Sequence, residues 1–269
     1  MFDGNLRTIN RVAAKTQRVL VADPNPATGR LLADQMRGLG GVQIYAAPTI
    51  EKAYAMARTT DPQLIFVEQA SAGLDGLLLT RKIRRSDLPC RMAPIVMCTA
   101  DATAESIFGA RDAGVHEFMR KPFTIGDLER RLEAVALKPR DWIEAVQYVG
   151  PDRRRFNSAD YTGPRKRKAD AKNSIAARLS QALRIVRSAS QALDSDPAQA
   201  RRALAAQALE LRKVGEVVKE PRLVAAAAAL EECMLSDLSG AEVRVQLLGR
   251  IDALMGFMAA DDDGGRGAA

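Results

Sequence analysis

Four polar side chains stand at the ends of short apolar runs, where they could share one charged site. Arg18-Val-Leu-Val-Ala-Asp23 and Leu64-Ile-Phe-Val-Glu68 each end in a carboxylate. Ile95-Val-Met-Cys-Thr99-Ala100 ends in a hydroxyl followed by a small residue, and Val115-His-Glu-Phe118-Met-Arg-Lys121-Pro122 ends in a lysine before a proline. Two carboxylates, a hydroxyl and an ammonium brought together would form one charged, hydrogen-bonding cluster.

Those residues meet only if the runs are parallel strands. Amphipathic segments with helical spacing lie between them, such as Leu31, Leu32, Met36 and Leu39, or Leu77, Leu78 and Ile83. Strand-helix alternation with short connections implies an α/β unit, a doubly wound five-stranded parallel sheet covered on both faces. Ligands of such sheets sit outside the carboxyl ends of the strands. Asp23, Glu68, Thr99 and Lys121 are therefore expected to converge there.

On these residues, positions 17–137 resemble the CheY-like receiver domain of the response regulators, with strand order 2-1-3-4-5. By position, Asp23 matches the first of the family's paired acids, Thr99 its hydroxyl, Lys121 its lysine and Phe118 its aromatic switch residue; Asp75-Gly76 matches the Asp-Gly that opens the third helix. Glu68 stands where the resemblance puts the phosphoacceptor aspartate, Pro24 replaces the second acid, and Ala72 stands where the family usually has proline.

These departures imply a degenerate pseudo-receiver. The resemblance implies a Mg2+ site between the acids, and because Mg2+ demands near-ideal octahedral geometry that site is expected to be crippled; the extra methylene of Glu68 also carries its oxygens past the position where the family's phosphoryl group is attacked in line. Glu68 then either pairs with Lys121 as a buried ion pair or acts as a lasting mimic of the phosphorylated state. Both readings exclude a phosphorylation switch.

Composition bounds the rest. At 269 residues and 47% hydrophobic content the chain suits two modest domains. No apolar run is long enough to span a bilayer and no signal-peptide core opens the chain, so a cytoplasmic location is expected. Cys90, Cys98 and Cys233 lack metal spacing and His116 is the single histidine, so no metal site is expected. The cysteines should be reduced, two of them buried. Outside the degenerate site no Ser-His-Asp set, phosphate-binding glycine loop or placed carboxylate pair appears, and the chain is read as not an enzyme.

A short repeat follows the receiver-like stretch. Tyr148-Val-Gly-Pro-Asp-Arg153-Arg154-Arg155 recurs thirteen residues later as Tyr161-Thr-Gly-Pro-Arg165-Lys166-Arg167-Lys168. Each copy offers a ring, a Gly-Pro turn and three or four cations. Arginine binds phosphate and the guanine O6/N7 edge in bidentate fashion, and rings and guanidinium planes stack on bases. The combination resembles CheY-like effectors that bind cyclic di-GMP through an arginine-rich tail. That resemblance implies cyclic di-GMP as a ligand, with Arg153, Arg154, Arg155, Arg165 and Arg167 as contacts and Tyr148 and Tyr161 as stacking or packing residues. With a net charge of +7, a solvated linker or a general polyanion patch is the alternative.

The remainder is rich in alanine and leucine. Breaks at Asp194-Ser-Asp-Pro197, Pro221 and Ser239-Gly240 divide it into four helices, with apolar stripes Ile175/Leu179/Leu183/Val186, Leu204/Ala208/Leu211/Val218, Leu223/Leu230 and Val245/Leu248/Ile251/Leu254/Met258. An all-α four-helix bundle follows. One segment resembles a histidine phosphotransfer domain with Leu209 at the histidine position and Lys213 replacing a glycine, which implies loss of phosphotransfer. Leu209 and Val217 project off the stripe and suggest a partner or homodimer surface.

The expected organisation is an arm at 1–16, a pseudo-receiver at 17–137, a basic linker at 138–171, a helical bundle at 172–258 and a disordered tail at 259–269. The functional expectation is a non-catalytic two-component signalling adaptor, cyclic di-GMP-responsive, that binds signalling or motility proteins. The alternative is a phosphorelay component or DNA-binding response regulator whose bundle is the output module. Nucleic acid stays open as a partner, although no recognition helix is legible.

Overall fold

A computed structural model describes residues 6–36, 42–153, 170–235 and 241–263. The chain forms two compact units, Met1–Ile143 with Tyr148–Thr162 and Glu144–Gln147 with Gly163–Ala269.

In the first unit α1 (Leu6–Ala13) precedes β1 (Arg18–Ala22), α2 (Pro26–Met36), β2 (Gln43–Ala47), α3 (Ile50–Thr60) and β3 (Leu64–Glu68). A two-stranded hairpin, β4 (Ala70–Ser71) and β5 (Leu74–Asp75), leads into α4 (Gly76–Arg84), followed by β6 (Ile95–Thr99), α5 (Ala104–Ala113), β7 (Glu117–Arg120) and α6 (Ile125–Leu137). The sheet order is β2-β1-β3-β6-β7, parallel throughout. This is the doubly wound five-stranded sheet expected.

The two-residue period of a strand divides each apolar run between two cores. Leu20, Ile65, Val67, Ile95 and Met97 face the layer that holds Ala53, Leu79 and Ile83; Val19, Val21, Phe66 and Val96 face the one with Leu32, Met36, Leu128 and Leu132. Because β3 and β6 lie inside the sheet with both faces covered, all ten of their residues are buried. Strand ends are therefore the places on these runs where a charged side chain can sit.

Helix starts fix the loops at those ends. Asp75 caps α4 by accepting the Leu78 N–H at 2.9 Å, and Thr124 and Asp127 form a reciprocal capping box at the start of α6. Gly76 lies so close to the end of β3 that a Cβ there would sit 2.1 Å from the Glu68 carbonyl oxygen. The Asp-Gly pair thus answers two local demands, a cap and a close backbone crossing.

The chain beyond α6 departs from the sequence expectation. The stretch 138–171 was expected to be linker throughout, yet β8 (Trp142–Glu144) and β9 (Val149–Pro151) form a two-stranded ribbon inside it. Tyr148, Val149 and Pro151 are buried there, so the aromatic half of the first repeat is packing material. Arg154, Arg155, Tyr161, Arg165 and Arg167 lie outside the described residues.

The second unit contains α7 (Asp170–Gln191), α8 (Pro197–Val218), α9 (Pro221–Leu235) and α10 (Ala241–Asp263). Pro197 and Pro221 open their helices, where a missing N–H costs least, and Asp196 caps α8 by accepting the Gln199 N–H at 3.2 Å. Leu183, Val186, Leu204, Leu211, Leu223, Leu230, Ile251 and Leu254 form one core. Gln199 donates to Glu144 Oε1 at 2.8 Å and to the Ala145 carbonyl at 3.1 Å, which ties residues 144–147 to α8.

Several expected stripe members are displaced. Val218, Val245, Leu248, Leu31 and Leu78 are exposed, while the buried positions are Leu247 in α10 and Leu79 in α4. One residue is a 100° rotation on a helix, so a stripe chosen one residue off leaves the core. Helix α10 also continues to Asp263, past the boundary expected at 258; no glycine or proline interrupts residues 257–263. All three cysteines are buried, not two.

Candidate functional site

The carboxyl ends of β1, β3, β6 and β7 bring Asp23, Glu68, Thr99 and Lys121 together. Lys121 Nζ donates to Asp23 Oδ2 at 2.6 Å and also to Glu68 Oε2. The other oxygens are engaged as well: Asp23 Oδ1 accepts the Asn25 N–H at 2.8 Å, and Glu68 Oε1 accepts the Gln69 N–H at 3.1 Å. Thr99 is buried, its Oγ1 accepts the Asp101 N–H at 3.2 Å, and its carbonyl accepts the Lys121 N–H at 2.8 Å. Phe118 is buried in the core on β7.

The electrostatics follow from that packing. Burial pulls the Lys121 ammonium toward its neutral form, but hydrogen bonds and charge from Asp23 and Glu68 outweigh it and raise its pKa above 10.5. Cys98, opposite Glu68 across the β3–β6 pairing, is held as a thiol far above its ordinary range by burial and is chemically inert.

The donor set does not fit Mg2+. Each carboxylate already has one oxygen on Lys121 and the other on a backbone N–H, and Pro24 supplies no carboxylate. A divalent ion between Asp23 and Glu68 would also lie against the ammonium. Among the described residues no group of three or more His, Cys, Asp or Glu could hold a metal ion.

A second polar cluster lies at the amino ends of the strands and was not legible as such in the sequence. Arg84, 1% exposed, donates Nε–H to the Gly114 carbonyl at 2.9 Å and Nη1–H to the Ala93 carbonyl at 2.9 Å, and its Nη2 lies 3.1 Å from His116 Nδ1. Its guanidinium also faces the ring of Trp142, 5.2 Å from the ring centre. Burial lowers its pKa to about 9. A basic residue in the last turn of an amphipathic helix ordinarily reads as solvated, which is why the pattern conceals it. A cleft of about 460 Å³ lined by His116, Arg140 and Trp142 lies at this end of the sheet, away from the acid cluster.

His116 should make stability depend on pH. Burial first, then the charges of Arg84 and Arg140, hold its pKa well below 6.5. A folded-state pKa below the unfolded value means that its contribution is complete above pH 6.5 and is lost as pH falls below it, because the unfolded chain takes up a proton that the folded ring refuses. Urea midpoints measured from about pH 8 to about pH 5 should decline below that point, and decline less in His116→Asn.

The response regulator receiver domain family matches residues 19–133. Residues 19–133 are a response regulator receiver domain. The chain is 28% identical over 121 residues to chemotaxis protein CheY-3 of Vibrio cholerae serotype O1 (strain ATCC 39315 / El Tor Inaba N16961), covering 45% of this chain and 92% of that protein. It is 29% identical over 120 residues to the KDP operon transcriptional regulatory protein KdpE of Escherichia coli (strain K12), covering 45% of this chain and 51% of KdpE. It thus spans about half the length of KdpE. A response regulator structure from Thermotoga maritima aligns with a TM-score of 0.40 at 22% identity, covering 45% of this chain and 98% of that one. The receiver match stops before the helical unit begins, and among the described residues no helix is long and apolar enough to cross a membrane.

Proposed function

We propose that this receiver is a phosphorylation-independent module in a two-component signalling adaptor, which transmits by protein contact. The observation that carries this reading is Lys121 Nζ between Asp23 and Glu68, with the remaining carboxylate oxygens on backbone N–H groups. Phosphoryl transfer needs a short carboxylate nucleophile in line, a metal ion beside it and a lysine free to meet the transferred charge. Here the acid is one methylene longer and the lysine is engaged with both carboxylates. Incubation with a small-molecule phosphodonor is the test: no phosphoryl adduct should form on Glu68.

Output is assigned to the helical unit. On α8, Leu209 and Val217 are 37% and 63% exposed, which supports their assignment to a partner surface or a homodimer contact. Position 209 carries leucine, so this helix has no imidazole there to carry a phosphoryl group.

A second reading, cyclic di-GMP responsiveness, rests on the tandem Tyr-x-Gly-Pro-x-cation repeat. Arg153 is exposed and its guanidinium stands 4.5 Å from the centre of the Tyr148 ring, but it also pairs with Asp112 at 3.0 Å. Arg154 and Arg155 are therefore the cleaner test of binding. Calorimetric titration at physiological salt should give saturable cyclic di-GMP binding that GTP does not displace, and Arg154→Ala/Arg155→Ala should weaken it at least tenfold. Equal binding by both proteins would sink this second reading and leave the first intact.

A further inference from the structure

Helix α8 carries two sets of charges with different surroundings. Glu210 pairs with Arg178 of α7 at 2.6 Å, Arg212 pairs with Glu231 of α9 at 3.1 Å, and Arg202 donates to Gln199 Oε1 at 3.2 Å, so these groups fasten α8 into its own bundle. Arg201 and Glu216 are exposed, and among the described residues neither side chain has a hydrogen bond or an ion pair. Between them the same outward face carries Ala205, Leu209 and Lys213, all exposed.

The placement of these residues is self-complementary. A helix turns about 100° per residue, so with Leu209 at the middle of the outward face Arg201 falls about 80° to one side and Glu216 about 20° to the same side. Lys213 and Val217 fall on the other side. Leu209 is eight residues after Arg201 and seven before Glu216. A two-fold axis crossing the helix between positions 208 and 209 therefore sets an antiparallel second copy with its Glu216 opposite Arg201, its Arg201 opposite Glu216, and Leu209 against Leu209. The two end pairs stand roughly 22 Å apart along the helix, and the small side chain of Ala205 lets the helices approach between them. A parallel copy has no such match, since it sets Arg201 against Arg201 and Glu216 against Glu216.

We infer that the outward face of α8 is an antiparallel, two-fold contact between two copies of this chain, with Leu209 at the axis and an Arg201–Glu216 pair at either end. The inference rests on the assignment of output to this helix and names its partner. One helix face makes a small interface with exposed end pairs. The dimer should therefore be weak, in exchange with monomer at concentrations on the order of 10 µM, and weaker still at high salt.

The test is sedimentation velocity on the full chain, with no phosphodonor present and helical circular dichroism checked for each variant. Arg201→Glu puts two acids face to face at each end and Glu216→Arg puts two bases there, so each should weaken dimerisation at least tenfold. An equimolar mixture of these two variants restores an acid–base pair at both ends, as does Arg201→Glu/Glu216→Arg in one chain; both should regain the association of the native chain. Leu209→Asp should abolish association in either background. The inference is overturned if the native chain stays monomeric at about 100 µM, which would leave this face to a different protein. It is overturned as well if the single charge variants associate as the native chain does, or if either the mixture or the double variant stays monomeric. Unchanged single variants with a mixture tighter than the native chain would mean parallel packing and would also overturn it. A monomeric chain strikes only the dimer, whereas a phosphoryl adduct on Glu68 strikes the phosphorylation-independent reading.

Discussion

Gly76→Ala is expected to destabilise the receiver by roughly 3 kcal/mol, with the urea midpoint falling and the slope unchanged. The added methyl would stand 2.1 Å from the Glu68 carbonyl oxygen and 3.1 Å from that of Gln69. Both acceptors are backbone at the end of a central strand, so no flexible side chain can yield. Relief requires α4 to move away from β3, which would withdraw Leu79 and Ile83 from the core they fill. A loss below about 1 kcal/mol would show that the hairpin β4–β5 gives way instead.

Lys121→Met should cost nearly as much for a different reason. Removing the ammonium leaves Asp23 and Glu68 facing each other with no cation between them, and both carboxylates are buried. Breaking a buried ion pair ordinarily costs about 3–5 kcal/mol, and partial solvation of the lysine argues for the lower end, roughly 3 kcal/mol. Lys121→Met/Glu68→Gln should recover a large part of that loss, since it leaves one carboxylate instead of two. Urea titrations of the three proteins at neutral pH decide the matter. If the single variant loses less than about 1 kcal/mol, the cluster behaves as a surface pair.

The acid site was legible because strands buried on both faces admit charge only at their ends. Asp23, Glu68, Thr99 and Lys121 each close an apolar run, and parallel order places those ends side by side. Helix faces were less legible. Leucine pairs such as Leu78-Leu79 and Leu247-Leu248 offer two candidate stripes a 100° turn apart, and packing alone chooses Leu79 and Leu247. Arg84 was hidden because its partners are backbone carbonyls at positions 93 and 114, which leave no trace in residue types. The repeat is plain in the sequence, which leaves Tyr148 open as a stacking or a packing residue. The crossing of Gly150 on Gly114 is what turns Tyr148 inward.

The account stands most directly on whether Glu68 can be phosphorylated. The full chain would be incubated with acetyl phosphate and excess Mg2+, then analysed intact by mass spectrometry, with Glu68→Gln as the reference. The prediction is that no phosphoryl adduct distinguishes the two proteins and that the emission of Trp142 is the same with and without the donor. An adduct present in the native chain and absent from Glu68→Gln would contradict the account, because it would mean that Lys121 leaves the two carboxylates and that the receiver switches by phosphorylation after all.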